Sequence, residues 1–318
     1  MHGGNLMKIN GMRLIIFFLL LSLPARSHPG PGIVKDSRGN IYYTDLQQVW
    51  KIEPGQKPRV ILRNIHTHEL CLDAQDNLYG EHSWYNGEHL NTWGHFAWKL
   101  QTTGRLDTVV GPEAGFLSGY SFVRDASGSM YWTTRFDSIT RFHKRLPDGK
   151  VTTIAEGRYG HVKWMHAMPD GSLFFTHEKY LFRIVPGHQP TLFAGGLYGE
   201  CDPKKHHSLF GIWSDRHRNL YVADHTAKTV KKITPAGKVT TFLRTTAPWS
   251  PVSGVFDDKG NLWLMEYSVS NEVRVRRMAD ERQPMSERRD EQPFFLPALP
   301  VMIFLIALVW VSVRRIMS

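Results

Sequence analysis

GIVKDSRGNIYYTD, Gly32 to Asp45, reads as a short apolar strand, a turn of Asp, Gly and Asn, and a second strand bearing aromatics. The same fourteen positions recur ungapped five more times. They are ELCLDAQDNLYGEH (Glu69–His82), SFVRDASGSMYWTT (Ser121–Thr134), WMHAMPDGSLFFTH (Trp164–His177), GIWSDRHRNLYVAD (Gly211–Asp224) and SGVFDDKGNLWLME (Ser253–Glu266). Between the turn residues Asn40, Asn77, Ser129, Ser172, Asn219 and Asn261 the period runs 37, 52, 43, 47 and 42. Two further strands follow most copies, such as VWKIE and RVILR after the first, with Pro-Asp-Gly and Pro-Ala-Gly hairpin turns elsewhere. A four-stranded antiparallel unit repeated six times at this period predicts an all-β, six-bladed β-propeller, a ring that leaves few exposed edges. A β-solenoid would use shorter coils.

The pattern G-[IV]-x-x-D-x-x-G-N-[LI]-Y-x-x-D resembles the NHL repeat and the propellers of the gluconolactonase and senescence-marker-protein group, over Pro31 to Met278. The resemblance implies the fold. It implies no single activity, because such propellers include lactone hydrolases, a lyase and interaction modules. The sixth unit departs from the pattern: the sequence after Met278 is polar and Pro-containing, with no evident fourth strand. Closure is therefore expected to rest on apolar contact between first and last blades.

Both ends are set apart from the repeats. Lys8 and Arg13 precede the apolar run Leu14–Leu21, and Ala25-Arg26-Ser27 offers a cleavage site, so residues 1–27 read as a secretory signal. Residues 28–278 form the propeller and 279–293 a polar linker. Residues 294–313 are twenty without a charge, about 30 Å as a helix, and read as one transmembrane span. Arg314 and Arg315 open the short tail, 314–318, placing it in the cytoplasm and the propeller outside. A removable sorting tail fits the same pattern. The expected setting is thus extracytoplasmic and single-pass.

The net charge of +10 shrinks to +5 over residues 28–271, which argues against a nucleic-acid partner. An oxidising compartment leaves two states open for Cys71 and Cys201, a disulfide or two thiols.

In metal-binding relatives the resemblance implies ligands five residues before the repeat Asp. Here that register holds Pro31, His68, Tyr120, Lys163, Phe210 and Val252, of which only His68 is a good ligand. A looser set, His68 with His161 and His207 (His66 and His206 adjoining), would enter the same mouth and hold one divalent metal, Zn or Ca, with Tyr120 or Lys163 polarising a substrate. Asp45 and Asp224 end their motifs as structural turn residues, whereas His82 and His177 break that pattern and are candidate ligand contacts. The insertion HSWYNGEHLNTWGHFAWKL, His82–Leu100, brings Trp84, Tyr85, His89, Trp93 and His95 towards the mouth as a platform for carbohydrates or other small molecules, or for a protein partner. Trp98 is expected in the core. No nucleotide loop, serine elbow, CxxC or HExxH occurs. The expected function is ligand or partner binding at this mouth, with a metal-dependent, lactonase-like hydrolase or lyase of the central channel as the alternative.

Overall fold

The computed structural model describes residues 30–198, 209–279 and 294–295 of the chain. Six antiparallel sheets follow one another in sequence order. Blade one is β1 (Ile33–Lys35), β2 (Ile41–Thr44), β3 (Gln48–Ile52) and β4 (Arg59–Arg63). Blade two is β5 (Leu70–Leu72), β6 (Leu78–Tyr85), β7 (Trp93–Leu100) and β8 (Leu106–Ala114). Blade three holds β9 (Met130–Phe136), β10 (Ile139–Arg145) and β11 (Val151–Gly157). Its expected first strand is reduced to one bridge, Arg124 opposite Met130. Blade four is β12 (Met165–Ala167), β13 (Leu173–His177), β14 (Tyr180–Ile184) and β15 (Thr191–Ala194). Blade five is β16 (Leu209–Ser214), β17 (Leu220–Asp224), β18 (Thr229–Ile233) and β19 (Val239–Arg244). Blade six is β20 (Trp249–Phe256), β21 (Leu262–Ser268), β22 (Val273–Met278) and β23 (Phe294–Phe295).

That last strand corrects the expectation of a sixth blade without a fourth strand. Phe294 pairs with Val275 and Phe295 with Arg274, so the first two residues of the expected span belong to the sheet. The rest of that span, the signal and the tail lie outside the described residues. Among the described residues no helix is long and apolar enough to cross a membrane.

One hydrogen-bonded device makes the repeat fold. Asp36 accepts the N–H groups of Arg38 and Asn40 at 3.0 and 2.8 Å and the Tyr42 hydroxyl at 3.1 Å. Asp73, Asp125 and Asp215 hold their turns and the Tyr79, Tyr131 and Tyr221 hydroxyls in the same way. In blade six Asp257 takes the Trp263 indole N–H instead. The turn demands a left-handed residue three positions after the Asp, and Gly39, Gly128 and Gly260 supply it at φ 81, 82 and 85°. At Asp73, burial alone would raise the acid, but hydrogen bonds from Asn77, Tyr79 and Gln75 outweigh it and hold the carboxyl below its ordinary range.

The core lies between blades. Tyr42, Val49, Leu70, Leu78 and Trp98 join blades one and two, and Trp98 is fully buried as expected. Tyr131, Phe142, Leu173 and Phe175 join three and four. The cluster of Ile33, Ile41, Tyr43, Trp213, Leu264 and Val275 runs across blades five, six and one. The apolar contact expected to close the ring is thus present, at about 1.5–3 kcal/mol for each fully buried large side chain. Lys35 and Asp258, 2.9 Å apart, add an ion pair across the closure.

The inner strands all start at one face. Gly32 N–H donates to the carbonyl of His68 at 2.9 Å, and Trp164 Nε1 to that of Leu209 at 2.7 Å, which sets neighbouring starts side by side. The hairpins between second and third strands project from this upper face. The Asp/Gly/Asn turns occupy the lower one.

Candidate functional site: the central channel and its upper mouth

The inner strands of five blades and the Ser121–Asp125 segment of blade three enclose a channel of about 440 Å³. Its wall includes Glu69 and Cys71 from blade two, Arg124 from blade three, Lys163 and His166 from blade four and Trp213 from blade five.

Glu69 opens β5. Burial, with the Glu81 carboxylate nearby, pushes its acid up to about 8, so it is protonated at neutral pH. Burial also pushes the His166 imidazole down to about 4, leaving it neutral, with Nε2 2.9 Å from Ser214 Oγ. The channel therefore presents an undissociated acid and an uncharged imidazole, groups able to donate and accept a proton. Cys71 is a buried free thiol. Burial pushes it up to about 11 despite the Arg124 guanidinium beside it, so it is no nucleophile at neutral pH. Cys201 lies outside the described residues.

Beside Glu69 stands a chain of polar groups at the mouth. His68 Nδ1 is 3.0 Å from Glu81 Oε1, and His66 Nε2 is 3.2 Å from His68 Nε2. The Glu81 backbone carbonyl is pinned by the Thr67 hydroxyl at 2.6 Å and by Trp98 Nε1 at 2.9 Å. Glu81 Oε2 is buried with no hydrogen-bond partner among the described residues.

The expected metal set is not assembled within the described residues. No group of three or more His, Cys, Asp or Glu is placed there to hold an ion. His161 is exposed in the loop before β12, and His207 lies outside the described residues. Among the described residues the donors His66 and His68 do not make the three-ligand set the resemblance implies. Tyr120 accepts a hydrogen bond from Arg124 at 3.1 Å, and burial raises its hydroxyl above the ordinary range. Lys163 is exposed and lines the channel.

The insertion in blade two is a regular extension of β6 and β7, and its side chains divide between two faces. His82, Trp84 and Phe96 share one: His82 stacks on Trp84 at 5.8 Å, and its Nδ1 accepts the His66 backbone N–H at 2.8 Å. Burial lowers the His82 imidazole below its ordinary range. Tyr85 and Trp93 pack on the other at 5.1 Å, and Trp93 meets Phe116 at 5.6 Å. His95 is buried, its Nδ1 2.8 Å from the Gly115 carbonyl oxygen, and does not join a surface platform. His89 is exposed near the tip. His177 packs against Tyr159 and Phe182 in blade four. Asp45 and Asp224 cap their turns as expected, accepting the Gln48 and Ala227 N–H groups at 2.8 and 2.9 Å.

Glu69, Glu81 and His166 are the site residues that the sequence reading passed over. A signal for Glu81 exists: the equivalent positions in the other copies hold Thr44, Thr133, Thr176, Ala223 and Met265, none of them ionisable. His166 is the single imidazole within the six inner-strand segments of the repeat.

No protein-family model and no curated protein matches the chain. Solved structures do. A putative gluconolactonase aligns over 78% of this chain and 90% of its own at 13% identity, with a TM-score of 0.52. A gluconolactonase from Xanthomonas campestris aligns over 74% and 83% at 15% identity and 0.51. A luciferin-regenerating enzyme aligns over 74% and 83% at 12% identity and 0.52. At these identities the likeness is one of fold. The chain is a six-bladed β-propeller with the architecture of the gluconolactonase-like structures.

Proposed function

We propose that this protein is a membrane-anchored, extracytoplasmic propeller that binds a small molecule in its central channel, at the blade-two side of the upper mouth. The observation that carries this reading is the channel itself: some 440 Å³ of mixed apolar and polar wall, with Glu69, Arg124, Lys163 and His166 contributed by three blades. A concave, mainly pre-formed site with a few polar groups is what small-ligand recognition requires. The extracytoplasmic part rests on the apolar run of the secretory signal within residues 1–27, and the anchoring part on the uncharged stretch that follows Phe295, residues 296–313. A thermal-shift screen of lactones, esters and oligosaccharides tests the binding part. The expected result is a rise in Tm with at least one class, lost in Glu69→Ala. No shift with any class would leave a structural spacer as the reading.

A hydrolase or lyase acting in the channel is the second reading, and one observation favours it. Glu69 is held protonated within the wall that also carries a neutral His166, so acid and base roles are both filled. A divalent metal, which the resemblance implies, would need a donor beyond His66 and His68. Elemental analysis of the purified protein, with His68→Ala as control, decides that point. Stoichiometric Zn or Ca lost in the variant supports metal-dependent chemistry; metal-free protein ends it.

A further inference from the structure

We propose that the upper face of the propeller is seated on the surface of the lipid bilayer that the segment after Phe295 enters, an inference that rests on the membrane-anchor reading. The first support is a direction. β22 starts at the upper face, just after the β21–β22 turn, and β23 runs antiparallel to it with Phe295 opposite Arg274 and Phe294 opposite Val275. Phe295 is therefore at the upper end, and the chain leaves the sheet upward. Residues 296–313 follow at once: eighteen without a charge, about 27 Å as a helix, then Arg314 and Arg315. With no polar spacer in the sequence between β23 and the apolar run, the face at which the chain leaves β23 is held within a few residues of the lipid, at roughly 3.3 Å per extended residue.

The second support is independent. Among the described residues the four most exposed large hydrophobics are Val269, Phe136, Phe116 and Leu90, at 83, 74, 68 and 61%. All four stand on the upper face, in the β21–β22 turn, at the end of β9, just beyond β8 and in the β6–β7 loop. Tyr85 and Trp93 join them at 40 and 36%. Scattered exposed apolar residues are ordinary on a soluble domain. Their concentration on one face of three separate blades is not. The remaining exposed large hydrophobics are on the outer strands β8, β11, β15 and β19, and the polar turns of the lower face carry none. Aromatic rings at the headgroup level are favoured because one edge is apolar and the other wet.

The full chain, reconstituted in phosphatidylcholine vesicles with brominated acyl chains, tests this. A fluorophore is placed on Phe136→Cys, Val269→Cys or, at the lower face, Lys150→Cys, each in a Cys201→Ser background; all three sites are exposed, so the substitutions leave the fold intact. The expected result is carbonate-resistant protein whose Phe136→Cys and Val269→Cys labels are quenched at least about threefold more than the Lys150→Cys label. Integrated protein with equal quenching at the two faces overturns the seating and leaves the anchor standing. Upper-face labels shielded from water yet unquenched would mean a second copy covers that face, which also overturns it. Protein that fails to integrate removes the anchor, and the seating with it.

Discussion

Glu81 Oε1 accepts the backbone N–H of His68 at 2.6 Å and lies 3.0 Å from Nδ1 of the same residue. One carboxylate oxygen thus fixes both the start of β5 and the ring that stands on it. The same carboxylate acts through space on Glu69, whose acid it helps to keep protonated.

Glu81→Gln separates the two roles. The amide keeps the shape and one acceptor but loses the charge, so the Glu69 midpoint should fall from about 8 while staying above the ordinary range, because burial is the larger cause. Isotope-edited infrared titration of the carboxyl stretch measures it. An unmoved midpoint would mean that the two carboxyls do not sense each other. Glu81→Ala should in addition cost about 1–3 kcal/mol in urea denaturation, because the His68 N–H loses its acceptor.

The two shifted groups of the channel pull stability in opposite directions with pH. Glu69 is protonated in the folded chain up to about 8, whereas the unfolded glutamate ionises near pH 4.3. Between those values the native state binds the extra proton, and stability falls as pH rises. His166 stays neutral down to about 4, whereas an unfolded histidine charges near pH 6.5. There the unfolded state binds the extra proton, and stability rises with pH. From about pH 4.5 to 6.5 the slopes oppose each other. Above that range Glu69 acts alone, lowering stability by up to ~1.4 kcal/mol per pH unit until about pH 8. Urea midpoints at pH 6.5 and 8 should show that decline in the native chain and lack it in Glu69→Gln. A decline that persists in the variant assigns the effect elsewhere.

The fold was legible because five of the six copies repeat the same chemistry, an Asp that caps a turn and an aromatic whose polar edge returns to it, and the fourth keeps the strand–turn–strand pattern with Met168 and Phe174 in those places. Six copies of one pattern leave little freedom in the topology. Three features of the site were not legible, each for a physical reason. Phe294 and Phe295 were read as membrane-spanning because two strand residues at the head of a long apolar run leave no trace of their own. The hairpin was read as a loop, so alternation was not applied to it. Applied, it separates Trp84 from Tyr85 but leaves His95 on the face of Trp93, and the burial of His95 comes instead from the chain beyond β8, where the Gly115 carbonyl meets its Nδ1. Glu69 escaped notice because the register was fixed on His68, one residue earlier, and which of two neighbours lines a channel depends on how the inner strand is tilted.

Two glycines in blade two face tryptophans across the β6–β7 ladder, and they should respond differently to alanine. A Cβ at Gly80 would collide with the ring of Trp98, which is fully buried against Glu81 and Thr67. The ring has nowhere to go, so Gly80→Ala should cost at least ~3 kcal/mol by overpacking. A Cβ at Gly94 meets the ring of Trp84, which is half-buried and can swing outward. Gly94→Ala should cost about 1 kcal/mol and redden the tryptophan emission as the ring enters water. Equal losses from thermal melts of the two variants would refute this account.

The capping aspartate offers the sharpest test of how the repeat is held. Asp36 is 1% exposed and accepts hydrogen bonds from two backbone N–H groups, the Asn40 amide and the Tyr42 hydroxyl. Asp36→Ala strands all four donors and should cost about 3 kcal/mol or more. Blade four shows the alternative: Met168 stands at the aspartate position and Phe174 at the tyrosine position, so acceptor and donor are absent together. Adding Tyr42→Phe to Asp36→Ala should therefore recover about 1 kcal/mol, because the buried hydroxyl left without a partner is removed with its desolvation cost. Chemical denaturation of the two single variants and the double variant closes the cycle. If the double variant proves as unstable as the sum of the singles, the hydroxyl and the carboxylate are independent, and the repeat is held by the backbone turn alone.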